Sequence, residues 1–348
     1  MNLLKIVNLP IVLTSFLLVS IGVLVIYSSS AELAIQQTIF TFAGLIFFFL
    51  VSQIELSSIR SLIKPFYIFI AFLLVVVLIL GIETRGSLRW IPLGIFNVQP
   101  SEFAKPALIL LLAKFWSEKP ATWINIFKSL LWTSPVMLLI FKQPDLGSTL
   151  TITAIWLGML IAARVSFKKI ILLALIFLMV IPVGWIFLQP YQKERIVSFL
   201  APQSDPLGKG YNVIQSTIAV GSGELFGRGL GRGTQSRLQF LPEFRTDFIF
   251  AFIAEEMGFV GSMLILSLYL FLLFCCLKLA FMADSSFSFL IILGVVSMFL
   301  FQTVVNIGMN IGVLPITGIT LPLISYGGSS LVATLISLGM VASCAKKG

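Results

Sequence analysis

Long apolar runs without a single charged residue dominate the chain. Seven such runs lie at 6–31, 33–54, 65–82, 146–163, 170–192, 257–277 and 285–345. A helix that spans a membrane needs about 20 mostly apolar residues. Six of the runs therefore predict one span each. The last run covers 61 positions and predicts two spans, because glycines and prolines between 308 and 328 break it.

Two further apolar segments, 103–116 and 129–141, are shorter and bordered by charge. Counting them as spans gives ten. We therefore predict an all-α polytopic integral membrane protein with ten transmembrane helices, folded as a single domain over 1–348. A large outer loop, about 189–247, falls between predicted helices 7 and 8.

The composition supports a membrane protein and narrows its chemistry. Hydrophobic residues make up 58% of the chain and charged residues 11%, whereas a soluble domain carries about 25% charged residues. The chain has no histidine, which excludes Ser-His-Asp catalysis, histidine zinc sites and imidazole bases. Its three cysteines show no CxxC spacing, so we expect neither disulfides nor cysteine metal ligands.

The net charge of +9 indicates cytoplasmic Lys and Arg rather than a nucleic-acid partner. Placing both termini in the cytoplasm leaves the short outer turns near 28–34 and 306–330 without basic residues, as the positive-inside rule requires. The basic residues that this rule leaves unexplained lie mainly in the outer segments 83–105 and 189–247. A basic outer loop such as 189–247 suits a phosphate or pyrophosphate ligand. Binding to anionic lipid headgroups explains the charge equally well.

Within the large loop, Arg228 and Arg232 lie in the glycine-rich stretch 227–233. The stretch has no GxxxxGK[ST] and no surrounding βαβ unit, so a nucleotide-binding loop is not indicated. We expect a tightly turned loop whose backbone N–H groups can approach an anion.

Acidic residues mark the end of the large loop and the helix after it. Asp247 directly precedes an apolar run and is predicted at a helix N-terminus, where an acid caps the helix or favours its dipole. Glu255 and Glu256 follow eight residues later, roughly 12 Å deeper along a helix. A charge at the bilayer centre costs roughly 2.5–3.5 kcal/mol, so either function or internal pairing is expected of them.

Two other charged positions stand beside apolar segments. Glu102 and Lys105 are three residues apart, so on a helix they share a face and form a structural pair. Asp145 lies at a break between two apolar segments, next to Pro144 and Gly147. It is expected either to cap the next helix or to face an external cavity.

These segments together resemble the SEDS family, whose members are typified by RodA, FtsW and SpoVE. The matching stretches are GSLRWIPLGIFNVQPSEFAK (86–105), QPDLGSTL (143–150), DPLGKGYNVIQSTIAVGSGELFGRG (205–229), GTQSRLQFLPEFRTDFIFAFIAEEMG (233–258) and NIGMNIGVLPITGITLPLISYGGSS (306–330). The FLPE and GTQS contexts look more like the RodA, cell-elongation branch than the FtsW, division branch.

The resemblance implies a peptidoglycan glycosyltransferase of the bacterial cytoplasmic membrane, which polymerises lipid II onto a lipid-linked glycan strand. It implies a class B penicillin-binding protein as transpeptidase partner, together with other cell-elongation proteins. No cofactor is evident, although a divalent cation is compatible with the chemistry. A division-branch, FtsW-like polymerase, a lipid II flippase and a non-catalytic scaffold for the transpeptidase remain alternatives.

The resemblance also assigns roles to residues of this sequence. Asp247 corresponds to the essential acid of the family's TDF segment and is expected to be the catalytic base. Glu102, Lys105 and Asp145 correspond to functional positions of the family. Arg245 replaces a histidine that is common in the family. We expect it, with Arg228 and Arg232, to help bind the pyrophosphate.

Overall fold

The computed structural model describes residues 8–56, 58–84, 87–92, 97–208, 210–238 and 240–345, which are mostly helical. In chain order the helices are α1 (Leu9–Ser29), α2 (Ala31–Gln53), α3 (Ile63–Leu80), α4 (Pro100–Glu118), α5 (Trp123–Lys142), α6 (Leu146–Ala162), α7 (Phe167–Phe187), α8 (Pro190–Leu200), α9 (Tyr211–Ser222), α10 (Thr234–Arg237), α11 (Ile249–Phe281), α12 (Ser286–Asn310) and α13 (Gly328–Cys344). Short 3-10 turns lie at Arg60–Leu62 and Pro202–Ser204.

The long helices follow the apolar runs of the sequence. The run 285–345, for example, contains α12 and α13, with an irregular loop at 311–327 between them. Helices form here because an apolar environment requires every backbone N–H and C=O to be satisfied within the segment. The predicted helical class is therefore confirmed, while the count of ten spans and the position of the large loop stay predictions.

Within the described residues, six helical stretches are long and apolar enough to cross a membrane. They are Leu9–Ser29, Ala31–Gln53, Arg60–Leu80, Trp123–Lys142, Ile249–Phe281 and Ser286–Asn310. Several membrane-compatible helices are what a multi-pass membrane protein needs.

A small antiparallel sheet between α3 and α4 departs from the all-α prediction. Its strands are β1 (Ile82–Thr84), β2 (Ser87–Pro92) and β3 (Asn97–Val98), in the order β1-β2-β3. Ile82 pairs with Trp90, and Ile91 pairs with Val98. β1 and β3 are only three and two residues long, too short to show a period-two pattern in the sequence, so the prediction missed the sheet.

The chain divides into two compact units. The first unit comprises the described residues of Met1–Leu50, Glu194–Cys275 and Phe299–Leu338, and the second those of Val51–Lys193, Cys276–Met298 and Gly339–Gly348. Each has a closely packed apolar interior. Leu18 and Phe252 are buried in the first unit, and Leu74, Leu108 and Ile155 are buried in the second.

We predict that position 204 faces the outside of the cell and position 166 the cytoplasm. Ser204 and Ser166 are both exposed, so a labelling difference between them reports the side of the membrane rather than burial. In intact cells, Ser204→Cys should react with a membrane-impermeant maleimide. Ser166→Cys should react only after permeabilisation.

The parent chain, with Cys275, Cys276 and Cys344, provides the background for both measurements. Equal labelling of the two positions in intact cells would contradict the ten-span topology.

Candidate functional site

The residues singled out in the sequence fall into two groups, one in each unit. The first unit holds Asp247, Arg245, Arg228 and Arg232, and the second holds Glu102, Lys105 and Asp145. Each group has its own set of supporting contacts.

Asp247 belongs to an irregular segment, residues 241–248, that leads into α11; we call it the Asp247 segment. Its carbonyl oxygen accepts hydrogen bonds from Asn306 Nδ2 at 2.9 Å and from Asn310 Nδ2 at 3.0 Å. Both asparagines lie on α12 and are completely buried. Two buried donors therefore fix the main chain at Asp247, since losing either would leave polar groups unsatisfied.

Asn310 also caps the start of α11. Its side-chain oxygen accepts a hydrogen bond from the N–H of Ala251 at 3.0 Å, a donor of the first turn that has no partner within the helix. Ser216 on α9 donates to the Asn310 carbonyl at 2.7 Å. The sequence suggested Asp247 as the helix cap, but the Ala251 N–H is capped by Asn310 instead.

The 311–327 loop runs beside the Asp247 segment and holds it from a second direction. The Ser325 hydroxyl donates to the Thr246 carbonyl at 2.7 Å, and the Tyr326 N–H donates to the Arg245 carbonyl at 2.8 Å. Gln37 on α2 donates in turn to the Ser325 carbonyl at 3.0 Å. Three successive residues, from Arg245 to Asp247, are thus anchored through their main-chain carbonyls.

Arg245 ties the same segment to the end of α1. Its Nε donates to the Ser29 hydroxyl at 2.8 Å and an Nη to the Ser29 carbonyl at 3.4 Å. The guanidinium also lies 4.4 Å from the centre of the Phe244 ring, which is cation–π geometry. Burial lowers the pKa of Arg245 from its usual value, while the nearby Glu243 carboxylate raises it. A contact with pyrophosphate would use the donors that remain and stays a prediction.

Tyr326, next to this anchor, is a titratable residue of the 311–327 loop. Burial raises the pKa of its phenol, and the negative charge of Glu32 raises it further. The phenol donates to Gln36 at 2.5 Å. It is therefore a neutral hydrogen-bonding group at neutral pH.

Arg195 and Gly318 are site residues that the sequence did not single out. Gly318 has a φ of +75°, a left-handed conformation that favours glycine. A Cβ atom built on Gly318 would lie 3.5 Å from Asp247 Oδ2 and 3.5 Å from Arg195 Nη1. The carboxylate and the guanidinium of α8 therefore face the same small space. In the sequence Arg195 was one of several basic residues of the large loop, and nothing local distinguished it.

The buried acids Glu255 and Glu256 are engaged by the preceding loop and by α1. Their hydrogen-bond donors are Gln235 N at 2.8 Å and Thr234 Oγ1 at 3.3 Å for Glu255, and Gly231 N at 2.6 Å and Ser28 Oγ at 2.8 Å for Glu256. Of the two expectations for these acids, internal pairing is the one that the structure shows.

Helix α11 contains a break at Gly258, where the backbone leaves helical geometry with φ 67° and ψ −164°. After the break, the N–H of Phe259 donates to the Glu224 carbonyl at 2.9 Å and that of Val260 to the Leu225 carbonyl at 3.1 Å. Residues 223–233, which we call the glycine-rich loop, thus supply acceptors that the helix itself lacks at this point.

The carbonyls before the break are satisfied by the same loop. Those of Glu255 and Glu256 accept from the N–H groups of Arg228 and Gly229, both at 3.0 Å. The approach requires glycine, because a Cβ atom on Gly227 would lie 2.1 Å from the Glu256 carbonyl oxygen. The tightly turned loop predicted from the sequence is therefore present, and its first function is to complete α11.

Arg228 and Arg232 project from this loop with exposed side chains. Arg228 donates to the Ser222 carbonyl and to the Thr234 hydroxyl, both at 3.2 Å. Their predicted binding of an anionic substrate stays a prediction.

In the second unit, Glu102 and Lys105 form a buried ion pair on α4. Lys105 Nζ lies 2.7 Å from Glu102 Oε1, and the two side chains are 4% and 9% exposed, respectively. The i,i+3 pair inferred from the sequence is thus present. Burial makes it more than a surface pair, since removing either partner would leave a charge in a poorly solvated place.

Asp145 caps α6. Its two carboxylate oxygens accept from the Ser148 N–H at 3.0 Å and the Ser148 hydroxyl at 2.8 Å, and Gln99 Nε2 lies 3.2 Å from Oδ2. Arg89 on β2 adds a contact at the preceding turn, where its Nε donates to the Gln143 carbonyl at 3.3 Å. The capping alternative for Asp145 is confirmed, and its substrate-binding role stays a prediction.

No group of three or more His, Cys, Asp or Glu side chains that could hold a metal ion occurs among the residues the structure describes.

Comparison with known proteins relates the whole chain to one family. The model of the FtsW/RodA/SpoVE family, described as cell cycle proteins, matches residues 3–348. Stage V sporulation protein E of Bacillus subtilis is 38% identical over 351 residues, covering 96% of this chain and 95% of that protein. Peptidoglycan glycosyltransferase MrdB of Escherichia coli is 40% identical over 303 residues, covering 86% and 82%.

A solved structure gives the same relationship. A chain from a peptidoglycan synthase complex, described as coordinating polymerization and crosslinking, superposes with a TM-score of 0.85 at 34% identity, over 97% of each chain.

We predict that Gly223 is required for the glycine-rich loop to reach α11. A Cβ atom at this position would lie 1.8 Å from the Ala254 carbonyl oxygen, whereas one on Gly221 would meet nothing within 4 Å. Gly223→Ala should therefore lower stability by about 1–3 kcal/mol, as overpacking typically does, and lower the thermal midpoint in detergent.

Gly221→Ala is the matched control and should leave the midpoint unchanged or raise it, because alanine favours the helix end. Equal midpoints for the two variants would show that the loop does not pack closely against α11.

Proposed function

Since the chain belongs to the SEDS family, we propose that it is a peptidoglycan glycosyltransferase that polymerises lipid II into glycan strands. The observation that carries the proposal is its 40% identity, along most of its length, to a relative named as such an enzyme. We propose the elongation branch, with a role in cell shape, because its FLPE and GTQS contexts resemble that branch.

The proposed reaction is a displacement at the anomeric carbon of a lipid-linked strand. The 4-hydroxyl oxygen of an acceptor lipid II forms a bond to that carbon. The bond from the carbon to the diphosphate breaks, and the diphosphate leaves with the electron pair as undecaprenyl pyrophosphate. The hydroxyl proton passes to Asp247, which acts as general base.

The main-chain geometry around Asp247 supports this role. Its carbonyl is held by Asn306 and Asn310, and Asn310 rather than the acid caps the Ala251 N–H. A base with a fixed backbone keeps its carboxylate within hydrogen-bond reach of one point, as proton abstraction requires.

Basic residues are proposed to stabilise the negative charge of the departing diphosphate. Lys105, oriented by Glu102, is one candidate, and Arg245, Arg228 and Arg232 are the others. Charge-assisted hydrogen bonds to phosphate oxygens would strengthen as the charge develops, which lowers the barrier. Asp145 is proposed to contribute to substrate binding from the start of α6.

The proposed partner is a class B penicillin-binding protein, which would cross-link the strands. The similarity to a chain from a peptidoglycan synthase complex supports such a partner. We further propose contacts with other cell-elongation proteins. The proposed location is the bacterial cytoplasmic membrane, with both termini in the cytoplasm.

The hydrogen bonds of Glu255 and Glu256 favour polymerase over flippase activity. A flippase would use ionisable groups inside the membrane. Both carboxylates instead accept two hydrogen bonds each from the glycine-rich loop, α10 and α1, which gives them a structural explanation.

We predict that Asp247→Asn abolishes most polymerisation without unfolding the protein. The amide keeps the shape of the side chain, and the anchored carbonyl is unchanged, but the general base is lost. Purified variant supplied with lipid II should make glycan at least about 10²-fold more slowly, a typical general-base contribution. Binding to its transpeptidase partner should be retained.

Asp205→Asn is the matched control, because Asp205 is an exposed acid of the same region that accepts a hydrogen bond from its own turn. It should polymerise like the parent protein. Near-normal product from Asp247→Asn would remove this residue from the mechanism and favour the flippase or scaffold alternatives.

We predict that exchanging Glu102 and Lys105 preserves folding but not activity. The double variant Glu102→Lys/Lys105→Glu can rebuild the buried pair, whereas each single change leaves one buried charge alone, which typically costs 3–5 kcal/mol. If Lys105 binds the diphosphate, the exchanged pair will put its cation at the wrong position.

The measurements are the thermal midpoint and lipid II polymerisation of the double and single variants. A stable and active double variant would show that the pair is structural only.

A further inference from the structure

The space above Gly318 is bordered by opposite charges from two different elements. Gly318 belongs to the 311–327 loop, Asp247 precedes α11 and Arg195 lies in α8. Asp247 Oδ2 and Arg195 Nη1 both lie 3.5 Å from the point where a Gly318 side chain would begin. Residue 318 places no side chain between these two groups, so the region beyond its Cα can admit a group that binds beside the carboxylate.

Both the backbone conformation at position 318 and the limited room beside Asp247 and Arg195 favour glycine there. A φ of +75° is one that other L-residues adopt only with strain. The loop could have placed a side chain over the carboxylate from a different backbone conformation. It instead brings the unsubstituted Cα of Gly318 to the site between Arg195 and Asp247.

A guanidinium beside a carboxylate favours the ionised form of the acid. A guanidinium is a permanent cation in proteins, so the effect of this side chain on Asp247 does not change with pH. The other titratable or charged side chains on the Asp247 segment and on the elements beside it include Glu243, Arg245, Tyr326, Glu32, Glu255 and Glu256, together with Lys193 and Glu194 on α8. Of these charged groups, Arg245 is turned toward Ser29. Arg195 is the cation found at Gly318.

We propose that the space above Gly318 receives the acceptor hydroxyl, and that Arg195 is the positioning residue that keeps Asp247 ionised to take its proton. The inference rests on the proposed function and adds two residues to it. The proton moves from the hydroxyl to Asp247 Oδ2, and the freed oxygen attacks the anomeric carbon. Arg195 exchanges no proton in this step.

The first experiment measures how polymerisation from lipid II depends on pH. In Arg195→Gln the cation is gone, so Asp247 takes up a proton at higher pH than in the parent protein. The acid limb of kcat/KM should therefore move upward by about one pH unit, the lower end of what a neighbouring charge does. Activity should recover substantially on the alkaline side.

Arg195→Lys keeps the charge and should keep the acid limb where it is in the parent protein. Lys193→Gln is the matched control, because it removes one positive charge from the same helix, and it should also leave the limb in place. An equal loss of activity at every pH in Arg195→Gln would indicate a purely structural residue and overturn the proposal.

The second experiment fills the space and does not depend on removing Arg195. Gly318→Ala places a methyl group in contact with both charged side chains and should reduce polymerisation at least tenfold. Gly231→Ala is its matched control. Gly231 has a similar φ of +71°, and the nearest heavy atom to its Cβ would be a carbonyl oxygen at 3.6 Å. It imposes the same backbone strain away from Asp247 and should retain activity.

The outcomes separate this inference from the proposed function. If the parent protein makes no glycan from lipid II, the proposed function fails and the inference falls with it. The other case is a parent protein that polymerises lipid II while Gly318→Ala is as active as Gly231→Ala, or while Arg195→Gln keeps the parent acid limb. With either result the proposed function is supported and the inference is wrong.

Discussion

Two buried amides on α12 hold the backbone at Asp247, the residue that we propose as the general base. Asn306 and Asn310 both donate to the carbonyl of Asp247, and both are fully buried in a largely apolar helix. A polar side chain in such a place is costly unless its hydrogen bonds are made. The amide donors and the carbonyl oxygen therefore satisfy each other's hydrogen bonds, and these bonds fix the backbone at Asp247. A rigid α12 thereby positions a residue that lies outside any helix.

The same requirement explains the break in α11. An interrupted helix in an apolar environment exposes N–H groups and carbonyls that only protein can satisfy. Here the glycine-rich loop supplies partners on both sides of Gly258, and its glycines let the two backbones approach closely. The acids of the same stretch, Glu255 and Glu256, bind the loop and α1. The break, the loop and the two acids therefore form one structural unit.

Local patterns predicted what depends on neighbours in the chain. The apolar runs predicted the long helices, and the spacing of Glu102 and Lys105 predicted their ion pair. The break near Pro144 gave Asp145 two possible roles, of which helix capping is the one that the structure shows. Contacts between distant segments left no such pattern. Arg195 and Gly318 approach Asp247 from distant parts of the chain. The strands β1–β3 likewise pair through tertiary folding, which no periodic pattern in their sequences indicates. One local signal was available and unused, namely two asparagines four residues apart in an apolar run.

The anchors separate the structural role of the Asp247 segment from the chemical role that we propose for its carboxylate. Its carbonyls are bound by α12 and by the 311–327 loop, so the backbone does not need the carboxylate of Asp247 for these contacts. The carboxylate instead faces Gly318 and the guanidinium of Arg195. Electrostatic preorganisation works in this way, because groups that need not move when the reaction begins cost no reorganisation.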